Sequence, residues 1–225
     1  MHLFRMLGAW GEVESRVYNL VIAPALEEIY RQRLDGVLTG GALRPGNRLL
    51  DVGCGRGHVL ALLRERFPRV SLFGIDLSRD MVRRARRRSS ADVSIHRGDS
   101  RHLPYRSEAF DVVISLASIK HWPDQAGGVR EMHRVLKPGG RILLLEADRL
   151  SSRRASREFV RRWRFMTPLA RPLLTEWFMR FVAAQGVTAG ALGSLLAGAG
   201  FAEVSARSLD DMPAALAHGT RPPAP

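Results

Sequence analysis

The chain has 225 residues, of which 45% are hydrophobic, and it carries a formal net charge of +13. This length suits one α/β domain with a full hydrophobic core, so neither disulfides nor structural metals are needed to hold it together. A single cysteine, Cys54, excludes an intrachain disulfide and favours a reducing, cytoplasmic setting. No secretory signal pattern opens the sequence, and no apolar run reaches the ~18 residues of a membrane span. We therefore expect a cytoplasmic protein without a membrane span, as a monomer or homodimer.

The positive charge comes almost entirely from arginine. Two of the 35 basic residues are lysines, which leaves 35 − 2 = 33 arginines. This ratio is typical of a GC-rich genome, although a basic surface is also the electrostatic signature of nucleic-acid binding. One arginine cluster, within residues 83–88, is interpreted as the solvated face of a helix, and a second lies within residues 153–164. We expect no nucleic-acid partner and keep RNA binding as an alternative.

Residues 1–44 are predicted to be helical, because apolar residues recur there at helical spacing. Pro24 marks a kink or a break in this segment. The apolar positions are Val17, Leu20, Val21, Ala25 and Ile29.

Residues 49–58 are the most informative segment, since an apolar strand there runs into three glycines at alternate positions. Glycine tolerates positive φ and has no Cβ, so the main chain at Gly53, Gly55 and Gly57 can turn sharply against a ligand. Doubly wound α/β folds hold the adenosine part of a cofactor at such a turn after a first strand. A dinucleotide fingerprint is disfavoured because position 58 is histidine, and no Gly-Lys-Ser/Thr ending of a P-loop follows.

Further apolar strands with polar ends follow in a recognisable order. Residues 70–76 predict a second strand ending in Asp76, and residues 94–100 predict a third strand with Asp99 at its end. Residues 110–115 have a strong buried-strand pattern, and residues 134–146 predict a helix end, a Pro-Gly-Gly turn and a fifth strand. With the D-x-G-x-G-x-G turn, this order resembles the class I S-adenosylmethionine-dependent methyltransferases over residues 45–146. The resemblance is to the small-molecule branch, methyltransferase type 11, which includes the quinone-biosynthesis enzymes.

The resemblance implies a Rossmann-like methyltransferase fold: a doubly wound, mostly parallel α/β sheet of seven strands. It also implies S-adenosyl-L-methionine as cofactor and S-adenosyl-L-homocysteine as product. Asp76 would accept hydrogen bonds from the ribose hydroxyls, and Asp51 would hold the glycine turn or a water near the methionine ammonium. Asp99 and the Ser100 amide would bind the adenine base. The other implied cofactor residues are Gly53, Cys54, Gly55, Leu77, Met81, Gly98 and Ser115.

The segment after the fourth strand carries the candidate catalytic residue. Residues 115–124 resemble the family's His-His-Trp-x-Asp loop, in which the second histidine matches His121 and the first is replaced by Lys120. A hydroxyl or acidic-carbon acceptor needs a general base, and a histidine with a pKa near neutrality suits that role. The alternative is that His121 only orders the loop. Lys120 and Trp122 are candidate substrate contacts, and the reaction requires no metal.

Residues 150–187 are predicted to form a helical lid. Paired apolar residues at 173/174, 177/178 and 181/182 predict a helix with a wide apolar face. An aromatic face beside an arginine rim fits a pocket for an apolar or aromatic substrate that can bear an anionic group. The alternative is that these aromatics pack on the sheet. In the resembling family the N-terminal segment caps cofactor and substrate, so Tyr18 joins Trp163 and Trp177 as a candidate substrate contact.

We expect a single methyltransferase domain over residues 1–220. It would comprise the cap over 1–44, a cofactor-binding core over 45–147, the lid, and a last helix with two antiparallel strands over 188–220. Residues 221–225 are predicted to be a disordered tail.

The predicted function is transfer of a methyl group to O, N or C of a small, apolar or aromatic molecule by in-line displacement, with positioning supplying much of the rate. One alternative is an RNA methyltransferase that uses the arginine surface. The segment after the fourth strand lacks an Asn/Asp-Pro-Pro-Tyr signature, which disfavours it. Another alternative is a non-catalytic cofactor-binding protein, and the intact Asp76 and Asp99 disfavour loss of cofactor binding.

Overall fold

A computed structural model describes residues 43–163 and 167–223. Seven strands form one sheet in the order β3-β2-β1-β4-β5-β7-β6. The first five strands pair in parallel, and β7 lies antiparallel to both β5 and β6. The predicted doubly wound, seven-stranded sheet with an antiparallel C-terminal pair is therefore confirmed. The strands are β1 (Arg48–Val52), β2 (Ser71–Asp76), β3 (Ser94–Arg97), β4 (Phe110–Leu116), β5 (Leu136–Ala147), β6 (Ala202–Ser208) and β7 (Ala214–Thr220).

Helices cover both faces of the sheet. One hydrophobic cluster includes Leu49 and residues of the first, second, fourth and fifth helices. The other includes Leu50 and residues of the third and sixth helices, because successive strand residues point to opposite faces. The helices among the described residues are α1 (His58–Arg66), α2 (Arg79–Arg88), α3 (Gln125–Val135), α4 (Arg153–Arg161), α5 (Arg171–Phe181) and α6 (Ala189–Gly198).

The order of the strands determines where a ligand can bind. Both β2 and β4 pair with β1, so the direction of chain progression reverses between β1 and β4. In doubly wound folds this reversal opens a crevice at the carboxyl ends of the two strands. The glycine turn after β1 and the loop after β4 both lie at this crevice.

The arginine-rich α2 shows how its sequence builds an exposed helix. Ser78 caps its N-terminus by accepting a hydrogen bond from the backbone N–H of Met81 at 3.4 Å, and Asp80 lies in the first turn. Val82 and Ala85 are its buried residues, whereas the arginines within 83–88 are exposed. The interpretation of this cluster as a solvated helix face agrees with the structure.

Two predicted features at the C-terminal side are wrong in detail. The Pro-Gly-Gly segment is not a separate turn, because β5 already begins at Leu136 and the segment forms an irregularity in its pairing with β4. Arg221 is ordered rather than part of a disordered tail. Its N–H donates to the Gly140 carbonyl at 2.9 Å, its carbonyl accepts from Gly139, and its guanidinium donates to the Leu136 carbonyl.

The stretch Pro168–Gly198 is long and apolar enough, by length and composition, to cross a membrane, which differs from the sequence expectation. One such stretch is weak support for a span. The backbone divides it, because α5 ends at Phe181 and Gly186 is extended before α6 begins. The two helices also pack on opposite faces of the sheet. In this structure the stretch is two helices of the fold.

Candidate active site

The glycine turn after β1 is anchored to β2 and to the loop after β4. The N–H groups of Gly53 and Cys54 both donate to the Ile75 carbonyl, at 2.8 and 3.0 Å. Gly53 has a φ of +79°, and a Cβ added there would lie 2.6 Å from the Cβ of Ser118 and closer still to its Oγ. Glycine is therefore required at position 53 both for its backbone angle and for the close approach of Ser118.

The middle glycine of the turn differs, because its surroundings are open. Gly55 has a φ of +52°, yet a Cβ added there would meet nothing within 4 Å. Its N–H donates to Asp76 Oδ2 at 2.9 Å, and Asp76 Oδ1 accepts from the Ser78 N–H at 2.9 Å. The carboxylate of Asp76 thus joins the glycine turn to the start of α2. Each of its oxygens keeps a lone pair for a further donor.

Asp51 is a buried carboxyl group that lacks a complete set of partners. It is 2% exposed, and its Oδ1 has no hydrogen-bond partner among the described residues. Burial, followed by the negative charge of Asp76, raises the pKa of Asp51 to about 8. A cationic donor beside Asp51 would supply the missing partner and favour the ionised form.

Asp99 has a partner that the sequence prediction missed. Both of its oxygens accept from the Arg101 guanidinium at 2.7–3.1 Å, and Oδ1 also accepts from the Arg101 N–H at 2.9 Å. This pairing lowers the pKa of Asp99 to about 2. The amino group of a nucleobase that binds Asp99 would therefore have to share this carboxylate with Arg101 or displace Arg101 from it. The i, i+2 spacing of an acid and an arginine was the available sequence signal.

Other predicted cofactor residues lie around the same strand ends. Leu77 is an exposed apolar residue directly after β2, and Met81 is half-buried one turn into α2. A Cβ at Gly98 would lie 2.5 Å from Ile75 Cδ1, which explains the glycine by close packing. Ser100 is half-buried after β3.

Ser115 and Cys54 are both buried, but neither contributes an exposed reactive group. Ser115 follows Ile114, the β4 partner of Asp51, so the alternation of the strand places it on the opposite face of the sheet from Asp51. Its Oγ has no partner among the described residues. Burial raises the pKa of the Cys54 thiol well above its usual range, so it remains protonated.

The loop after β4 carries His121 and packs over the glycine turn. Residues Ile119–His121 form one short helical turn, and the Trp122 indole N–H donates to Ser118 Oγ at 3.0 Å. Since Ser118 lies against Gly53, this hydrogen bond connects the loop to the turn. The structure therefore brings the candidate catalytic loop and the glycine turn together.

A buried ion pair holds this loop to the end of β5. Glu146 is fully buried, and its Oε1 lies 3.3 Å from Lys120 Nζ. Its Oε2 accepts the Lys120 backbone N–H at 3.2 Å, and its Oε1 accepts the Ala147 N–H at 2.8 Å. Sequence reasoning missed Glu146, although a carboxylate ending a strand of leucines was a visible signal. Lys120, predicted as a substrate contact, has this carboxylate as its partner.

His121 is exposed, but the surroundings of its imidazole change its pKa. Partial desolvation, and then the positive charge of Lys120, lower the pKa of His121, while Glu146 opposes the shift. The neutral imidazole, which can accept a proton, is thereby favoured near pH 7.

The predicted substrate residues of the lid separate into two environments. Trp163 is buried and packs edge-on against Phe159 and Phe178, with ring centroids 6.0 and 5.9 Å apart. Trp177 is exposed on α5 and contacts Phe181. Tyr18 and the N-terminal cap lie outside the described residues. Within residues 43–163 and 167–223, no group of three His, Cys, Asp or Glu side chains could hold a metal ion.

The strand order, the glycine turn after β1 and the acidic residues after β2 and β3 define a Rossmann-like methyltransferase fold. Residues 50–144 match the family described as "Methyltransferase domain". Among solved structures, a possible histamine N-methyltransferase from Thermotoga maritima shares the fold with a TM-score of 0.62 at 20% identity, covering 94% of this chain and 96% of that one. A phosphoethanolamine N-methyltransferase of Haemonchus contortus, in complex with S-adenosyl-L-methionine, has a TM-score of 0.63 at 17% identity, covering 88% and 56%.

Curated relatives are similar over part of this chain. The chain is 38% identical over 140 residues to the 27-O-demethylrifamycin SV methyltransferase of Amycolatopsis mediterranei, covering 60% of this chain and 51% of the relative. It is 38% identical over 102 residues to the demethylmenaquinone methyltransferase of Deinococcus radiodurans, covering 44% and 42%. The matched region thus spans about half the length of these relatives.

Proposed function

We propose that this protein is an S-adenosylmethionine-dependent methyltransferase that acts in the cytoplasm, as a monomer or homodimer, on a small apolar or aromatic acceptor. The observation that carries the proposal is the glycine turn, which is open at Gly55 and tied to Asp76. Asp51 beside it has a buried oxygen without a partner. The curated relatives are small-molecule methyltransferases by name, which supports the choice of acceptor class.

The residues present fit the cofactor. Asp76 would bind the ribose hydroxyls, Asp51 would face the methionine ammonium, and Leu77 would cover the base. When bound, S-adenosyl-L-methionine supplies a methyl group already activated by its positively charged sulfur. The chain then has to align the acceptor with that methyl group, which is a task of positioning. His121 would accept the proton of an acceptor hydroxyl or acidic carbon.

The first test measures binding of S-adenosyl-L-homocysteine by calorimetry. We expect a dissociation constant of about micromolar order for the natural chain, and a loss of about tenfold or more in Asp76→Ala, equal to about 1.4 kcal/mol. Asp76→Asn, which keeps the shape of the side chain, should also weaken binding because it removes the negative charge. Asp80→Ala is the matched control, since Asp80 is a carboxylate of the same helix start that pairs with Arg83 and Arg84. Absence of binding to the natural chain would refute the proposal.

The second test concerns the role of His121. A screen of aromatic hydroxyl, amine and carbon acid acceptors with labelled methyl donor would first provide a turnover assay. His121→Ala should then lower turnover about 10²-fold while changing cofactor affinity little, because a base acts on the acceptor. Since the pKa of His121 is lowered, activity should rise with pH through a midpoint below the usual histidine value. Lys120→Met should move that midpoint upward. An unchanged rate in His121→Ala would leave the residue an ordering role only.

A further inference from the structure

The outer face of α5 and of the turn before it carries a row of large apolar side chains that are exposed or half-exposed. Four residues form this row, which we call the outer stripe: Leu169, Leu173, Trp177 and Phe181. Their exposed fractions are 94%, 75%, 43% and 45%. They are spaced four residues apart, so they line one side of the helix and of the turn before it. The outer stripe is a contiguous surface rather than a set of scattered apolar residues.

The outer stripe is not the face by which α5 packs on the domain. Its core-facing side is formed by Leu174, Phe178 and Val182, which contact the hydrophobic cluster under the helix. Phe178 packs against Phe159 of α4 with ring centroids 5.2 Å apart. Each apolar pair of the sequence is therefore divided, with one member toward the core and one away from it. The outer stripe is not part of the hydrophobic clusters of the described residues.

Exposed arginines lie on the neighbouring helix. α4 buries Phe159 and Val160 in the same cluster, so its opposite face also points away from the sheet. An ion pair between Arg153 of α4 and Glu176 of α5 joins the two outer faces. Two glutamates, Glu158 and Glu176, are the acidic residues of these two helices. The exposed arginines of the two helices are Arg153, Arg154, Arg157, Arg161 and Arg180.

We infer that this outer face of α4 and α5 docks on the surface of a membrane that contains anionic phospholipids. An apolar face with an aromatic ring, beside a row of arginines, is the composition of helices that lie in the plane of the membrane interface. Trp177 suits this position because its ring is apolar while its N–H can remain at the polar boundary. The arginines gain favourable free energy from anionic headgroups.

The charge of this face argues against a second copy of the chain as the occupant. Two such faces brought together would oppose one row of arginines to another, and like charges at an interface are unfavourable. A membrane-crossing arrangement is also unsuitable, since α5 and α6 are separated at Gly186 and pack on opposite sheet faces. The protein would lie on the membrane rather than cross it. This inference does not depend on the proposed methyl transfer.

The test is co-sedimentation of the full-length protein with phosphatidylcholine vesicles, with and without phosphatidylglycerol. We expect binding to the vesicles with phosphatidylglycerol and at least about tenfold weaker binding to pure phosphatidylcholine. The double variant Leu173→Ser, Trp177→Ser should lose about tenfold or more in binding, because it removes apolar area that enters the interface. Binding should shift tryptophan fluorescence to the blue in the natural chain, and Trp177→Phe should bind normally with a smaller shift.

A charge-matched pair of variants separates docking from the overall attraction of a basic protein. Arg154, Arg157 and Arg161 of α4 are changed to glutamine in one variant, and Arg83, Arg87 and Arg88 of α2 in the other. Both sets are exposed, and both variants have the same net charge. Docking by the outer face predicts a loss of at least about tenfold in the first variant and little in the second. Equal losses would mean attraction by net charge alone and would overturn the inference.

Two further outcomes would also overturn it. One is absence of vesicle binding by the natural chain. The other is a clear fall in melting temperature, or dissociation of a dimer in sedimentation velocity, in the Leu173→Ser, Trp177→Ser variant without vesicles. Either effect would show that protein covers the outer stripe, whether residues 1–42 or a second copy. If the inference is right, this variant keeps the oligomeric state of the natural chain and loses only the small stability of the Trp177–Phe181 contact, because Leu173 is exposed and Trp177 is half-exposed.

Discussion

Asp51 shows how a single residue can link stability to ligand binding. Its carboxyl group is buried with one oxygen unpaired, and its pKa is raised to about 8. Because its pKa in the folded protein exceeds that in the unfolded chain, the folded protein holds the proton more tightly. Folded-state stability is therefore lost as pH rises from about 4 toward about 8. The ligand-free protein would therefore lose some folding free energy when Asp51 ionises, at the position where a cationic ligand group is expected.

Replacement of Asp51 by asparagine should remove this pH dependence. We expect the free energy of unfolding of Asp51→Asn, relative to the natural chain, to increase between about pH 5 and pH 8, by an amount on the order of a few kcal/mol. Urea unfolding of the ligand-free protein at several pH values measures the difference. Asp80→Asn is the control, since the pKa of Asp80 is lowered, so this carboxylate stays ionised over the whole range and the variant should show no pH trend relative to the natural chain. Parallel stability curves for Asp51→Asn and the natural chain would contradict this explanation.

At the scale of residues, the sequence predicted where the acidic residues lie along the strands better than it predicted their ion-pair partners. Asp76 ends β2 as predicted, and Asp99 lies two residues beyond the end of β3, because a polar residue after an apolar run marks a strand end. Asp51 lies within β1, one residue before its end. The pairing of Asp99 with Arg101 and of Lys120 with Glu146 could not be predicted. These contacts depend on side-chain conformations and on distances between separate elements.

At the scale of elements, the glycine turn and the loop after β4 form one unit. The first two of its three glycines, Gly53 and Gly55, provide a direct comparison, because both have positive φ but only Gly53 is in close contact with Ser118. Gly55→Ala should cost about 1 kcal/mol for its backbone angle alone. Gly53→Ala should cost at least about 1 kcal/mol more, because Ser118 must move.

Chemical unfolding of the two alanine variants tests this difference. Adding Ser118→Gly to Gly53→Ala should restore part of the stability, since it removes the side chain that a Cβ at position 53 would meet. The same change in the Gly55→Ala background should give no recovery. Equal costs for the two glycine substitutions would show that the contact with Ser118 has no energetic weight.

Element boundaries were predictable where local sequence determines them. The first four strands end near their predicted limits because each is an apolar run bounded by polar or glycine residues. The start of β5 was not predictable, since the Pro-Gly-Gly segment has the sequence of a turn. Its backbone instead pairs with Arg221, and a partner 81 or 82 positions away leaves no local signal.

At the scale of the whole molecule, the lid shows that composition alone does not predict which apolar residues are buried. Its paired apolar residues predicted a wide apolar face, and the structure divides that face between the core and the outer stripe. Only the fold distinguishes the two, because the sheet determines which side of α5 is covered. By the same reasoning, the stretch that resembles a membrane span in composition is two helices on opposite sides of one sheet.

The position of β7 has a consequence for how the molecule is made. This strand lies between β5 and β6, although it follows both along the chain. While the polypeptide is being synthesised, the edge of β5 therefore stays open until residues 214–220 have left the ribosome. The assembled sheet closes only when its last strand inserts, so ribosome-bound fragments that stop before this strand would expose a long hydrogen-bonding edge to aggregation.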